Sequence, residues 1–410
     1  MGWVTADAPT KADLAACNQC GLCLPVCPTF RLTGRETASP RGRLMAMNSV
    51  DQGLSSVDGV FEDIMGFCLQ CRACEAVCPS LAPFGRLMEA TRIEIGAQRP
   101  STQKRLRAVV TGRLLASVIA MRAVTAAAAV AQRLRLGRLI PPGMRRSFTG
   151  LRPLPLMPAS TVGRSFGAYG PERGRAALLA GCVMDPWFGP VRTATIEVLR
   201  RGGYTVEIPR GQTCCGALAA HDGDGEGAKR LARTNVSAFA DADLIVVDSA
   251  GCGAHLKEYG HWAVDGDIVA SRVRDVTETV AELIEAGALP RFEPTGTSVA
   301  VQDPCHLRHA QRIVEAPRSI LSAAGYTPVE IDPVGMCCGA AGVYSVLHPA
   351  TSAELGERKA EQVRASGAAI VASANPGCEM QLRAHAVKSY RVAHPVELYW
   401  ERLAASPAAG

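Results

Sequence analysis

The sixteen cysteines of this 410-residue chain fall into four quartets, and their spacing restricts the fold more than any other feature. The first quartet is Cys17, Cys20, Cys23 and Cys27, followed by Pro28; the second is Cys68, Cys71, Cys74 and Cys78, followed by Pro79. Both read C-x2-C-x2-C-x3-C-P, the run that holds cubane [4Fe–4S] clusters in pairs. In such a run three closely spaced cysteines wrap one cluster and the fourth serves the other. The expected ligand sets are therefore crossed: Cys17, Cys20, Cys23 and Cys78 for one cluster, Cys68, Cys71, Cys74 and Cys27 for the second. Structural zinc sites pair two C-x2-C knuckles or mix Cys with His, and fit this spacing poorly.

The N-terminus has no basic region followed by an apolar stretch, so no signal peptide is expected. The chain is read as cytoplasmic, with metal-binding rather than disulfide-bonded cysteines. Its length calls for two to four domains. The spacer between the quartets and the segment after the second are rich in Leu, Met, Ala and Glu at helical intervals. Residues 1–95 thus read as an all-helical ferredoxin domain with two [4Fe–4S] clusters.

The formal charge of +6 is unevenly placed. No acidic residue occurs between Glu94 and Glu172, whereas this stretch holds thirteen Lys and Arg residues. Local basicity argues for a partner at this segment rather than for nucleic-acid binding, and an aromatic content of 5% offers no stacking platform for bases. The run 114–130 is the one candidate span, but its Leu, Ile and Val gain about 2–3.5 kcal/mol and Arg122 costs about as much. A surface helix is expected instead. A proline-rich linker follows, so residues 96–172 read as a basic helical segment and linker.

From residue 173 the sequence repeats. Cys182 precedes Cys214 by 32 positions, and Cys305 precedes Cys337 by the same 32. GGYTVEIPRGQTCCGA (202–217) matches AGYTPVEIDPVGMCCGA (324–340). Short apolar runs alternate with helical patterns in both copies, which predicts two α/β units with parallel strands, 173–290 and 295–410. The expected fold is multidomain, α followed by α/β. Cys182, Cys214, Cys215 and Cys252 in one copy, and Cys305, Cys337, Cys338 and Cys378 in the other, are candidate ligands near strand ends. Four sulfurs suit an iron–sulfur or a zinc centre equally.

The CCG turns, with 31 residues intervening after a preceding cysteine and 36 or 39 residues intervening between the second cysteine of the pair and a following one, resemble the cysteine-rich CCG domain of heterodisulfide reductases and related subunits. Two such domains behind the paired C-x2-C-x2-C-x3-C-P runs resemble the glycolate oxidase (glycolate dehydrogenase) iron–sulfur subunits, most closely in PCHLRHAQR (304–312), GMCCGAAGVYSVLHP (335–349) and ASANPGCEMQL (372–382). The resemblance implies electron transfer from FAD-containing partner subunits that oxidise glycolate to glyoxylate, onward to a quinone or other membrane acceptor, with peripheral membrane contact at the inner face of the cell membrane. The fuller CCG motif ends in C-x2-C, but this chain has Ser249 and Asn375 at the first position of that ending. Disulfide-reducing chemistry is correspondingly not expected.

His306 and His309 beside Cys305, and His221 after the first CCG turn, are candidate donors to cluster sulfur. No G-x-G-x-x-G, P-loop or G-x-S-x-G motif is present, so neither nucleotide binding nor hydrolysis is expected and no catalytic residue is assigned to this chain. Rival readings are the same relay serving a lactate or glycerol 3-phosphate dehydrogenase, and a zinc-stabilised scaffold or redox sensor.

Overall fold

The structure is a computed structural model that describes residues 2–140, 142–386 and 389–406. Residues 1, 141, 387–388 and 407–410, which the expected units include, lie outside the described residues.

The N-terminal unit is helical, as its composition requires: α1 (Lys11–Ala15), α2 (Pro28–Thr33), α3 (Pro40–Asp51), α4 (Gly59–Gly66), α5 (Ala73–Ala76) and α6 (Phe84–Gln98). Side chains of Thr10, Ser39 and Asp58 cap α1, α3 and α4, each accepting a hydrogen bond from a first-turn N–H. Pro28 opens α2 where a backbone N–H would lack a helical partner, so the proline after Cys27 turns the chain into a helix. Leu44, Met47, Phe61, Met65, Leu87 and Met88 form the core, with Cys68 and Cys74 embedded in it.

The basic segment runs through α7 (Thr102–Val109), a π-helical turn at Val110–Leu114 and α8 (Val118–Arg133), ending in α9 (Pro142–Thr149). The two arms meet at 105°. The surface helix expected over 114–130 is found as α8 with shifted ends: residues 115–117 form the bend, and Ser117 caps α8 by accepting from the Ala120 N–H. The stretch expected as a linker is also tied down. Gly150 approaches the Met380 carbonyl so closely that a Cβ would lie 1.9 Å from its oxygen. Arg152, two residues on, is buried in ion pairs with Glu379 and Glu397.

Two parallel α/β layers follow. The first comprises β1 (Ser165–Phe166), β2 (Gly174–Leu178), α10 (Met184–Trp187), α11 (Gly189–Arg201), β3 (Tyr204–Glu207), α12 (Ala217–Asp222), α13 (Gly225–Ala238), β4 (Leu244–Val247), α14 (Ala250–Leu256), α15 (Gly266–Arg272), β5 (Val273–Asp275) and α16 (Val276–Glu285). The second comprises β6 (Ser298–Val301), α17 (Glu315–Ala323), β7 (Thr327–Glu330), α18 (Tyr344–Leu347), α19 (Pro349–Ala365), β8 (Ile370–Ala372), α20 (Pro376–His385), β9 (Arg391–Ala393) and α21 (Pro395–Ala405). The sheet orders are β1-β3-β2-β4-β5 and β7-β6-β8-β9, so the last four strands of the first sheet correspond one for one to the second. Only β1 is antiparallel; it extends the first sheet with residues that precede position 173.

The repeats face each other through matching helices. In the first, α11 packs against α21, and α16 packs against α17. Because α11 corresponds to α17 and α16 to α21, the contact is self-complementary in the manner of a two-fold dimer. Leu199, Leu283, Ile320, Val396 and Tyr399 share its apolar core.

Candidate metal centres

The eight N-terminal cysteines surround two adjacent cavities. Cys17, Cys20, Cys23 and Cys78 line the outer one, which also touches Cys74. Cys27, Cys68, Cys71 and Cys74 line the inner one. The chain thus brings Cys78 to the cavity lined by the first run and Cys27 to the one lined by the second. The sets differ in depth: Cys20 is exposed, whereas Cys27, Cys68, Cys71 and Cys74 are all buried. Burial pushes the Cys71 and Cys74 thiols well above their ordinary value, and neighbouring sulfurs push in the same direction. Four buried thiols around one cavity fit a cationic iron centre, whose charge reverses that preference.

Each α/β unit places its other four cysteines at the carboxyl end of the sheet, where the chain leaves neighbouring strands in opposite directions. Cys182 follows β2 and Cys252 lies in α14 after β4; Cys305 follows β6 and Cys378 lies in α20 after β8. This crevice is the ligand-binding position of open parallel sheets. The Cys215 and Cys252 sulfurs lie 3.2 Å apart, as do those of Cys338 and Cys378. Contacts with Cys182 and Cys215 hold the Cys214 thiol well below its usual value. Cys337 does the same for Cys305, and Cys337 with Cys378 for Cys338. Thiols in contact share protons unequally, so within each quartet neighbouring sulfurs are shifted in opposite directions.

The vicinal pair is presented by a glycine with left-handed backbone, φ +97° at Gly216 and +85° at Gly339. Different neighbours clamp the two turns. Asn235 Nδ2 donates to the Cys214 carbonyl at 3.0 Å and the Tyr259 hydroxyl to the Cys215 carbonyl at 2.7 Å. In the second unit Ser352 Oγ donates to the Gly339 carbonyl at 2.8 Å. Sequence reasoning missed Asn235, Tyr259 and Ser352, because hydrogen-bonding residues far along the chain carry no local signature. A Cβ at Gly339 would lie 2.7 Å from the Ser352 carbonyl oxygen, whereas at Gly216 the nearest atom is the His255 ring at 3.2 Å. Gly339→Ala is therefore expected to destabilise by about 1–3 kcal/mol and to exceed Gly216→Ala in urea unfolding; the reverse order would contradict this packing.

The three candidate histidines separate. His309 is buried and its Nε2 lies 2.9 Å from the Gly335 carbonyl oxygen, a structural contact that faces no sulfur. His306 Nδ1 lies 3.6 Å from the Cys305 sulfur. Burial pulls the His306 pKa down, but the Cys305 sulfur outweighs it and the net shift is upward. His221 stacks on His306 with ring centroids 5.5 Å apart, and its Nδ1 lies 2.9 Å from Glu89 Oε1. Burial lowers His221 to about 3 and His255 to about 4, so both are neutral near pH 7. His255 stands beside the first CCG turn and was not singled out in the sequence.

Ser249 and Asn375 meet each other. Ser249 Oγ donates to Asn375 Oδ1 at 3.4 Å, and the Gly251 N–H donates to the same oxygen at 3.1 Å. Asn375 Nδ2 lies 3.6 Å from the Cys378 sulfur. The two positions that depart from the five-cysteine motif are thus joined across the repeat interface, reinforced by the Ala250 N–H donating to the Ala374 carbonyl.

The inner N-terminal cavity abuts the second α/β unit. Leu69, Cys71 and Ala73 pack with Cys337, Tyr344 and Leu355 in one apolar cluster that includes Cys305 at its edge. Sulfur sets therefore follow one another from exposed Cys20, through the buried inner set, to Cys305 and Cys337, with apolar side chains between them.

Comparison with known proteins agrees with this architecture. The 4Fe-4S dicluster domain family matches residues 13–82, and the cysteine-rich CCG domain family matches 176–257 and again 299–383. A dicluster domain ahead of two cysteine-rich α/β units defines an iron–sulfur electron-transfer protein. The chain is 33% identical to the probable glycolate oxidase iron–sulfur subunit of Bacillus subtilis, over 91% of this chain and 89% of that one. It is 29% identical to the glycolate oxidase iron–sulfur subunit of Escherichia coli, over 95% and 94% of the two chains. Lactate utilization protein A of Shouchella clausii is 31% identical over 50% of this chain and 89% of its own length. The chain belongs to the family of glycolate oxidase iron–sulfur subunits.

Proposed function

We propose that this protein is the electron-relay subunit of a glycolate dehydrogenase complex, taking electrons from an FAD-containing partner that oxidises glycolate to glyoxylate and passing them toward a membrane quinone. The observation that carries the reading is the unbroken series of sulfur sets from the surface at Cys20 to the interior at Cys305 and Cys337. Cys17, Cys20, Cys23 and Cys78 would hold one [4Fe–4S] cluster, and Cys27, Cys68, Cys71 and Cys74 the other. The two CCG quartets offer sites for a further iron–sulfur or zinc centre. Bound clusters supply one-electron redox chemistry to a two-electron substrate oxidation made elsewhere. The chain's own residues orient the ligands, exclude water around the inner set, and place His306 beside the Cys305 sulfur, where a hydrogen bond tunes potential.

Lactate utilization protein A, matching half the chain, supports a second reading in which the partner oxidises lactate. The test is to purify the complex anaerobically with its flavin subunits and add glycolate, L-lactate or glycerol 3-phosphate separately. Cluster EPR signals should develop with glycolate first. Reduction by L-lactate or glycerol 3-phosphate alone would replace the donor, and stoichiometric zinc with less than about four irons per chain would overturn the relay itself.

A further inference from the structure

The unpaired part of the basic segment is also the most apolar exposed part of the molecule. Of its thirteen basic residues, Arg99 and Lys104 pair with Glu62, Arg107 pairs with Asp222, and Arg152 pairs with Glu379 and Glu397. Among the described residues the other nine form no ion pair. Twenty-five large apolar side chains are exposed among the described residues, and ten of them fall within residues 106–139. Four stand out: Ile119 is 82% exposed, Leu139 79%, Leu106 64% and Leu134 62%.

Helix α8 explains the pattern. Met121, Thr125 and Ala129 form a narrow buried seam, pinned where Trp187 Nε1 donates to Thr125 Oγ1 at 2.9 Å. The opposite side is a helical stripe of Ile119, Ala123, Ala127, Val130 and Leu134, all exposed, with Arg122 and Arg133 along one margin. The 105° bend places Arg113 on the other arm, so it does not interrupt this stripe. No single helix among the described residues is long and apolar enough to cross a membrane. Sixteen residues of α8 reach about 24 Å against a hydrocarbon core of about 30 Å. A helix pinned along one side, apolar on the other and flanked by arginine has the character of an element that lies in a lipid interface.

We propose that the outer face of α8, with Leu139 in the short turn packed against its end, docks the protein onto an anionic lipid bilayer. The inference rests on the acceptor-linked reading above, because it gives that reading its surface. Charge and apolarity together select the occupant: arginines without ion-pair partners among the described residues, beside exposed Ile119, Val130 and Leu134, complement a surface that is anionic outside and apolar within. The location fits as well. Leu115, Ala116, Met121 and Arg122 line a cavity together with Cys182 and Cys214, so docking by α8 brings the first CCG quartet close to the lipid.

The test uses the cluster-containing protein, anaerobically purified with and without its flavin subunits, sedimented with phosphatidylglycerol or phosphatidylcholine vesicles. Binding is expected to phosphatidylglycerol and to weaken as salt is raised. Arg133→Gln with Arg138→Gln should lower partitioning tenfold or more, given about fivefold per arginine near an anionic surface. Ile119→Gln with Leu139→Gln should lower it on the same vesicles, while leaving iron content and EPR signals as in the parent. Equal binding to phosphatidylcholine, no binding at all, or variants that bind like the parent would overturn the proposal. Variants that retain vesicle binding but lose the flavin subunits would assign the face to a protein partner instead. Glycolate-dependent reduction in the same preparations separates the two readings: reduction without vesicle binding removes the docking alone, and binding without reduction removes the donor assignment alone.

Discussion

Replacing Cys78 with serine is expected to abolish the cluster that Cys20→Ser abolishes, and to spare the one lost in Cys71→Ser. The reason is spatial: Cys78 lines the outer cavity with Cys17, Cys20 and Cys23, although it follows Cys74 by only four positions. Cys27→Ser should behave in the opposite sense and pair with Cys71→Ser, because Cys27 lines the inner cavity. Each substitution should remove about four irons per chain. EPR of the reduced variants, with iron and sulfide counts, distinguishes the two clusters by their relaxation. Loss of the inner cluster in Cys78→Ser with the outer one intact would refute the crossed assignment. The inner-site variants should also harm stability more, since Cys68 and Cys74 sit within the helical core and an emptied site leaves polar hydroxyls there.

Arg152→Met is expected to cost about 3–5 kcal/mol. The guanidinium is 8% exposed and forks to two carboxylates at once. Its Nε and Nη2 donate to the two oxygens of Glu379 at 2.5 and 2.9 Å, and Nη1 and Nη2 donate to those of Glu397 at 2.8 Å each. Removing the cation leaves two buried carboxylates facing each other, Glu379 retaining a cationic partner in Arg383 and Glu397 only the His394 N–H. Burial works against ionisation of Glu397, but the hydrogen bonds from Arg152 prevail and keep its pKa below the usual carboxylate range. Thermal unfolding of the variant should shift down by several degrees or more. Adding Glu379→Gln to Arg152→Met should recover part of the loss, because it removes one of the two stranded charges. Arg152→Lys should fall between, since an ammonium cannot fork to both carboxylates. A neutral Arg152→Met would mean that the strap across α20 contributes little to holding the second α/β unit.

Both predictions turn on contacts that differ in how far the sequence discloses them. The cysteine groupings were legible because cluster geometry forces a short-range pattern, three sulfurs at three-residue intervals, onto the chain. The helices around them were legible from Leu and Met at helical spacing between residues 40 and 98. The strands were legible where four or five apolar residues run together, as in β2, β4 and β6; β1, β5 and β9 escaped notice because two or three residues carry no periodicity. The basic stretch was legible as a charge anomaly but misread as one helix and a linker. Nothing local in Arg152 distinguishes it from Arg133, yet one is buried between two glutamates and the other faces outward.

The sequence by itself determined the two four-cysteine runs of the dicluster domain, the duplicated α/β units and the absence of a fifth cysteine at Ser249 and Asn375, because each is written in residue types at fixed short spacings. Only the tertiary structure decided that those two residues bond to each other, that the inner cysteine set abuts Cys305 and Cys337, and which arginines remain available at the surface. These are relations between positions more than a hundred residues apart. They arise when the repeats close face to face and the helical unit packs over their sheet ends, and no local propensity encodes that closure.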